Sequence, residues 1–239
     1  MGYKELKELA WKWNIELSRQ KLIKYTFGNV SAIDRNKAVF AIKPSGVPYE
    51  ELKPSDMVVV DFNNKTVEGK LRYSSDTKTH TVLYKNFPDI GGVVHTHSPF
   101  AVSWAQAIKS IPVLGTTHAD HLANEIPCTE VMKNQMIKGD YEEETGNQII
   151  DIFKKKKLSA NEVEMVLVAC HGPFTWGGNP EKAVYNSVIL EELAKMAMYT
   201  FLINPEVKQI KKELIDKHYQ RKHGKLSYYG QNNKGEKNG

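Results

Sequence analysis

Two short apolar runs that both lead into histidine limit most strongly how this chain can fold. The run "GGVVHTH" covers residues 91–97, and "EMVLVAC" covers residues 164–170, directly before His171. Short apolar runs bounded by turn residues predict buried strands, and "AVFAIK" (38–43) and "MVVVDF" (57–62) are two more of this type. The sequence therefore predicts a sheet with histidines at the ends of two of its strands.

Helical segments are interspersed with these strands. Apolar periodicity and cap residues predict helices over residues 3–20, 77–87, 98–107, 142–156 and 180–203, and a further helix from Pro205 to about His218. We expect Pro99 in the first turn of one helix and Asn179 as the cap of another. This mixture predicts an α/β fold in which helices cover a central sheet. At 239 residues the chain favours one domain over two.

Composition excludes several classes of partner. The formal net charge is +5, and much of it lies in Lys154–Lys157 and in "KHYQRKHGK" near the end. These runs are typical of solvated faces rather than of a nucleic-acid interface, and the charge suits a small anionic substrate better. The two cysteines, Cys128 and Cys170, have neither metal nor redox spacing, which favours a reducing compartment. With neither a secretory signal nor a membrane-spanning run, we expect a cytoplasmic protein without a membrane partner.

The strand-end histidines are candidate metal ligands. His95 and His97 are two residues apart, so in an extended strand their side chains project from the same face. Taken alone, the pair is more often two partly exposed strand-end residues than a metal site. His171, at the end of a second buried strand and directly before a predicted turn at Gly172-Pro173, would complete a three-imidazole set of the kind that binds zinc. Asp76 could add a carboxylate, or it could be an ordinary helix cap.

Three short segments have the composition of anion-binding loops. They are "TFGNVS", "KPSGV" and "YSSDT", which offer Gly28, Asn29, Lys43, Ser45, Gly46, Ser74 and Ser75. Backbone N–H groups, hydroxyls and a helix N-terminus can all bind phosphate. Each segment alone is more readily explained as a plain turn or cap, and none matches a P-loop, but three of them beside candidate metal ligands favour a site.

Two further segments carry groups able to transfer protons. "GTTHADH" contains Asp120 between histidines, which is compatible with a catalytic base or with a hydrogen-bonded loop. "DKHYQRKHGKLSYYGQ" is rich in histidine, arginine and tyrosine. A charged, solvated end of the chain is the simpler interpretation, although the adjacent Tyr228 and Tyr229 favour packing against another surface.

Taken together, these segments resemble one family. GNVSAIDR, IKPSGV, SSDTKTH, GGVVHTHS, GTTHADH, EEETGN, HGPFTWG and DKHYQRKHG…YYGQ occur in the order and spacing of the L-ribulose-5-phosphate 4-epimerases, within the class II aldolase/epimerase superfamily. The resemblance implies one α/β domain over residues 1–231, with a central, mostly antiparallel sheet flanked by helices on both sides. It also implies a homotetramer, and we expect the polar tail at 232–239 to be disordered.

The resemblance further implies a site. A divalent metal, usually zinc with manganese or cobalt also suited, would be bound by Asp76, His95, His97 and His171. Phosphate and substrate contacts fall on Gly28, Asn29, Ser45, Gly46, Ser74 and Ser75, with Lys43 close by. The acid/base pair falls on Asp120 and on Tyr229 from a neighbouring subunit, with His218 and Arg221 at the same interface.

The implied reaction interconverts L-ribulose 5-phosphate and D-xylulose 5-phosphate by cleaving and re-forming the bond between carbons 3 and 4. Related L-fuculose-phosphate aldolases share the histidines and phosphate loops, but they carry a glutamate near the position of Asp76 and lack the equivalent of Asp120. Methylthioribulose-phosphate dehydratases lack the Tyr-Tyr-Gly-Gln segment. A non-catalytic metal-binding scaffold, such as the adducin head, is disfavoured because the ligand, acid/base and phosphate candidates all occur together. The native metal and the pathway that supplies the substrate, arabinose or ascorbate breakdown, stay open.

Overall fold

A seven-stranded sheet forms the centre of the molecule. The structure is a computed structural model and describes residues 1–224. The strands are β1 (Asn29–Asp34), β2 (Val39–Ile42), β3 (Val58–Asp61), β4 (Thr66–Glu68), β5 (Gly92–His95), β6 (Met165–Val168) and β7 (Gly172–Gly177). Their order is β4-β3-β2-β1-β5-β7-β6, and every neighbouring pair is antiparallel. The predicted antiparallel sheet of a single α/β domain is therefore confirmed.

Helices cover both faces of this sheet. They are α1 (Tyr3–Arg19), α2 (Thr77–Asn86), α3 (Pro99–Gln106), α4 (Thr116–Ala119), α5 (Asn134–Lys138), α6 (Tyr141–Lys156), α7 (Pro180–Ile203) and α8 (Lys212–His223). Pro99 does occupy the first turn of α3, and the Asn179 side chain caps α7 by accepting a hydrogen bond from the Lys182 N–H. Within residues 1–224, no helix has the length and apolar character needed to cross a bilayer.

Alternation along the strands assigns the helices to their faces. On β2, Phe40 and Ile42 join an apolar cluster with α2 and α6, whereas Val39 and Ala41 pack with α1 on the opposite face. This period of two is expected of a strand that is buried on both sides. Helices α3 and α7 extend the α1 face over β5, β6 and β7. The starts of α2 and α6, by contrast, lie on the Phe40 face, where the candidate site is built.

The structure corrects several predicted elements. Strand β1 begins at Asn29, where a loop was expected, and β7 begins at Gly172, where "HGP" predicted a turn. The short edge strand β4 was not predicted at all. The last helix begins at Lys212 and continues to His223, later than the predicted start after Pro205 and past the predicted end. The expectations for Tyr229, Gln231 and the tail fall outside the described residues.

Candidate metal centre

Three histidines meet where β5 and β7 end. His95 is the last residue of β5, opposite Asn29 on β1 and Phe174 on β7. His97 follows two residues later, beyond the strand, and its Nε2 atom lies 3.0 Å from Nε2 of His95. His171 belongs to the tight turn that leads from β6 into β7. One ligand atom from each of these residues lies within 4.8 Å of the others, and we call the three the histidine group.

The turn that carries His171 differs from the predicted one. The His171 N–H donates to the Val168 carbonyl, and Cys170 adopts a left-handed φ of +61°. The sharp bend therefore precedes His171 rather than following it. Gly172 then starts β7 so close to β5 that an added Cβ would lie 2.9 Å from the Thr96 carbonyl oxygen. This close approach of the two strands places His171 beside His95.

A backbone hydrogen bond fixes the orientation of His95. Its Nδ1–H donates to the Pro173 carbonyl at 2.9 Å, and its ring stacks on Phe174 with centroids 4.3 Å apart. A carbonyl can only accept, so Nδ1 carries the proton and Nε2 keeps its lone pair. Carbonyl partners of this kind typically orient metal-binding histidines. The free Nε2 faces His97.

The histidine group fits a divalent metal in its protonation state as well as in its spacing. Burial lowers the pKa of His171 to about 3, with repulsion from His95 adding to the effect and Asp76 opposing it. Burial and His95 likewise lower the pKa of His97. Both imidazoles are therefore neutral at pH 7, the form that binds metals. Two nitrogens bound to a tetrahedral zinc stand about 3.3 Å apart, close to the His95–His97 separation.

Asp76 lies at the start of α2 but does not cap it. The side chain makes no capping hydrogen bond. Its Oδ2 instead accepts from the Asn29 side-chain amide at 2.6 Å and from the Ser74 hydroxyl at 3.4 Å. Burial alone would raise the pKa of this carboxyl, but His95, His80 and the Asn29 amide hold the pKa below its usual range. Asp76 lies outside the tight histidine group yet lines the same cavity, so its role as a ligand remains a prediction.

That cavity has a volume of about 350 Å³ and unites the predicted metal and phosphate residues. We call the side lined by the predicted phosphate contacts the cradle, and its residues are Gly28, Asn29, Lys43, Ser45, Gly46, Ser74 and Ser75. His95, His97, His171 and Asp76 line the other side. The structure thus places residues from five separate segments around one volume.

Lys43 makes the cradle attractive to anions. The residue is 2% exposed, and in the described part of the chain its Nζ lies 3.4 Å from the Pro44 carbonyl and over the face of the Tyr49 ring. Among residues 1–224, no carboxylate pairs with it. Burial lowers the pKa of Lys43 to about 8. A phosphate would supply the missing counter-charge and restore the higher pKa.

The two cradle glycines have different physical roles. Both have positive φ, +79° at Gly28 and +71° at Gly46. A Cβ on Gly28 would lie 2.6 Å from the His95 carbonyl oxygen, whereas no atom of residues 1–224 lies within 4 Å of one on Gly46. Gly28 therefore allows β1 to pack against the residues that carry the histidines. Gly46 leaves its backbone open to the cavity.

Five residues that were not candidates from the sequence also line the cavity. They are Thr26, Phe27, Pro44, Tyr141 and Glu142. Tyr141 is the first residue of α6, and its hydroxyl lies 3.5 Å from Nδ1 of His171. A glycine inside the predicted helix could have pointed to this region, because Gly146 allows close contact with α2. An added Cβ there would lie 2.6 Å from the Val82 Cβ.

Asp120 lies in a separate cluster. Its carboxylate accepts from Arg221 Nε (3.0 Å) and Nη2 (2.7 Å), and from His218 Nδ1 (2.9 Å). These residues, which we call the Asp120 cluster, join α4 to α8 within one chain. Burial would raise the pKa of the Asp120 carboxyl, but the hydrogen bonds from Arg221 and His218 outweigh it and lower the pKa. The described residues that line the cavity do not include Asp120, so its catalytic role remains a prediction.

A larger groove lies elsewhere on the surface. It measures about 600 Å³ between α3 and the end of α7, with Trp104, Phe201 and Leu202 among its walls. Lys109 is the one charged residue among the described residues that line it. Without converging polar groups, it offers little for phosphate or metal chemistry.

Known proteins share this arrangement of strands and helices. The family model described as Class II Aldolase and Adducin N-terminal domain matches residues 9–198. A structure of an L-fuculose 1-phosphate aldolase has a TM-score of 0.75 at 24% identity, and the match covers 91% of this chain and 95% of that chain. The L-fuculose 1-phosphate aldolase from Glaciozyma antarctica has a TM-score of 0.72 at 15% identity, covering 91% and 81%. The L-fuculose-1-phosphate aldolase from Thermus thermophilus has 0.65 at 22%, covering 85% and 99%. The solved structures establish the fold, and because the family model matches most of the sequence, this chain belongs to the class II aldolase and adducin N-terminal domain family.

Proposed function

We propose that this chain is a metal-dependent L-ribulose-5-phosphate 4-epimerase that interconverts L-ribulose 5-phosphate and D-xylulose 5-phosphate. The observation that carries the proposal is the single cavity in which the histidine group faces the cradle. A phosphorylated sugar can place its phosphate against Lys43 while its oxygens face the histidines. The choice of epimerase within the family comes from the sequence segments around Asp76, Asp120 and the C-terminal tyrosines.

In this proposal, Asp76, His95, His97 and His171 hold a divalent metal, and we expect zinc because neutral imidazoles with a carboxylate suit it. Manganese and cobalt are also compatible with this set. When bound, such an ion acts as a Lewis acid that stabilises negative charge on sugar oxygens by several kcal/mol, on the order seen at other metal sites.

The chemistry of the substrate determines what the chain must do. The ketone is at carbon 2, so the hydrogen on carbon 4 is not acidic and cannot simply be removed. A base instead takes the proton of the carbon 4 hydroxyl as the bond between carbons 3 and 4 breaks. The electron pair stays on carbon 3, which gives the enediolate of dihydroxyacetone and glycolaldehyde phosphate. Rotation of the aldehyde, bond formation on its other face and protonation of the new oxygen complete the epimerisation.

The residues of the chain have separate tasks in this scheme. The cradle retains the aldehyde through its phosphate, with Lys43 supplying the charge and Ser45, Ser74 and Ser75 the hydroxyls. Two proton-transfer groups are needed because the aldehyde presents both faces in turn. We assign them to Asp120 and to the partner subunit's Tyr229 in a homotetramer, with His218 and Arg221 supporting Asp120. The lowered pKa keeps the Asp120 carboxyl ionised at neutral pH, so it can accept a proton, but the same hydrogen bonds make it a weaker base.

A class II sugar-phosphate aldolase is the second candidate. Two observations favour it: the solved structures named above are L-fuculose 1-phosphate aldolases, and Asp120 does not line the cavity of the described chain. An aldolase would use the same histidine group and cradle but would release the aldehyde instead of adding it back.

Turnover with defined substrates distinguishes the two. The zinc-loaded protein is incubated with L-ribulose 5-phosphate, and D-xylulose 5-phosphate and glycolaldehyde phosphate are quantified. We expect D-xylulose 5-phosphate with little free aldehyde. Accumulation of glycolaldehyde phosphate, or cleavage of L-fuculose 1-phosphate at a higher rate, would favour the aldolase. If zinc is bound and neither substrate reacts, both proposals fail.

A further inference from the structure

The three members of the histidine group differ in what holds their rings. The Nδ1–H of His95 is fixed by a backbone carbonyl at 2.9 Å. The ring of His97 rests against Phe27, with centroids 5.7 Å apart. For His171, the polar neighbour of Nδ1 is a side chain, the Tyr141 hydroxyl at 3.5 Å, and the two rings lie 6.1 Å apart. His171 therefore differs in having a side-chain hydroxyl, which a single substitution can remove, as the neighbour of its Nδ1 atom.

Tyr141 itself is held firmly by its helix. Asp140, the residue before it, pairs with Lys78 on α2 and caps α6. The Thr79 hydroxyl donates to the Glu142 carbonyl at 2.6 Å. These contacts fasten the first turn of α6 to α2, the helix that has Asp76 at its start. The Tyr141 side chain is half-exposed, but contacts of its two chain neighbours, Asp140 and Glu142, fix the position of its backbone.

We propose that Tyr141 is a positioning residue for His171. Its hydroxyl oxygen accepts the Nδ1 proton of His171, so that the lone pair of His171 lies on Nε2. The proposal deepens the metal site of the proposed function and rests on it. Partners on the outer nitrogen of a metal-binding histidine typically contribute about 10- to 100-fold to metal affinity. Because 3.5 Å is at the outer limit of a hydrogen bond, we expect the lower end of that range.

The chain contains a matched control. The Tyr185 hydroxyl lies 3.5 Å from Nδ1 of His121, and the two rings are 5.8 Å apart. Tyr185 is 44% exposed and Tyr141 37%. This second pair thus has nearly the same geometry, but neither residue lines the cavity or belongs to the histidine group.

The experiment compares Tyr141→Phe, Tyr141→Ala and Tyr185→Phe with the unmodified protein. Zn²⁺ dissociation constants are measured by competition with a chromophoric chelator, and the visible absorption of the Co²⁺-loaded proteins reports the ligand geometry. The melting temperature of each metal-free protein tests folding. For Tyr141→Phe we expect a Zn²⁺ dissociation constant about 10-fold higher, a shifted Co²⁺ band and an unchanged metal-free melting temperature. Tyr185→Phe should match the unmodified protein in all three.

Each other outcome overturns a definite statement. If Tyr141→Phe binds Zn²⁺ like the unmodified protein, the positioning role is wrong, and the proposed function is untouched. If only Tyr141→Ala binds weakly, the ring and not the hydroxyl supports His171. Equal losses in Tyr141→Phe and Tyr185→Phe would indicate a general effect of removing a hydroxyl. If the unmodified protein binds no Zn²⁺, the metal-dependent function itself fails.

Discussion

The histidine group at the end of β5 and the Asp120 cluster between α4 and α8 both gather ionisable side chains, but different forces hold them. In the first, the imidazoles are brought together by strand pairing, by the turn before His171 and by a hydrogen bond from His95 to backbone, so they meet only when the sheet has formed. In the second, the Asp120 carboxylate ties α8 to the end of α4 through Arg221 and His218, beside the apolar contact of Ile215 with Val113 and Ala119. Metal binding should therefore depend on the fold as a whole, whereas neutralising the one carboxylate of Asp120 should be enough to disrupt the Asp120 cluster.

The largest expected effect comes from removing an imidazole of the histidine group. In His97→Asn, one of the nitrogens 3.0 Å apart is lost, so we expect zinc content to fall below about one tenth per chain and turnover to fall more than about 100-fold. Metal analysis and turnover of L-ribulose 5-phosphate check this. His121→Asn, at a histidine outside the group, should retain its zinc. Equal zinc loss in both variants would contradict a specific site.

Asp120→Asn tests the second region directly. If Asp120 transfers protons, turnover should fall about 100-fold while zinc content stays at the wild-type level. Arg221→Ala keeps the Asp120 carboxylate but removes the two hydrogen bonds that Arg221 donates to it from α8. This variant therefore tests the anchoring of α8 without removing the proposed catalytic group. Turnover and hydrogen exchange of α8 are compared in both variants. If the two lose the same fraction of turnover and the same protection, anchoring alone explains the effect of Asp120.

Lys43→Met should weaken the cradle without disturbing the histidine group. Loss of a charged hydrogen-bond donor costs about 1.5–3 kcal/mol, which corresponds to an increase in KM of about 10- to 100-fold. Zinc affinity should not change. Steady-state kinetics with the phosphorylated sugar provides the measurement, and Lys24→Met, at an exposed lysine, is the control. An unchanged KM would show that Lys43 does not bind the phosphate of the substrate.

Acid should loosen the Asp120 cluster by a smaller amount. The pKa of Asp120 is lowered in the folded chain, so its stabilising effect is complete above the unfolded value of about 3.9 and is lost as the pH falls through the lower, folded pKa. Hydrogen exchange of α8 should therefore rise below about pH 4. The same acid step should be missing in Asp120→Asn. If α8 loses protection already near neutral pH, the carboxylate is not what holds it.

Some of this organisation could be predicted from local sequence. The strand-end histidines were found because short apolar runs bounded by turn residues identify buried strands. Strand β7 was misjudged because Pro173 and its glycine neighbour signal a turn. Pro173 is nevertheless the second residue of β7 and pairs with Leu167 on β6, while β5 ends at His95 opposite Phe174. The proline thus falls near the start of the strand, where it is tolerated. The Pro173 carbonyl accepts the hydrogen bond from His95. Pro173, which made β7 resemble a turn in the sequence, thus also orients the candidate ligand His95.

Other features depend on packing that no local pattern contains. Tyr141 reaches His171 only because α6 packs on α2 at Gly146. Asp76 had the position of a cap, but its carboxylate bonds to Asn29 on a distant strand that was predicted as a loop. The cradle residues were named from the composition of three segments and supported by the resemblance, but their convergence on one cavity became visible only with the fold.

The pairing of Asn29 with His95 across β1 and β5 has a kinetic consequence. These residues are far apart in sequence, so the chain must close a long loop before the cradle and the histidine group can face one another. Closure of long-range strand pairs is slow and comes at an entropic cost. The rate of zinc uptake during refolding should therefore equal the rate at which the central sheet forms. A chain that has formed only its helices should not yet bind zinc.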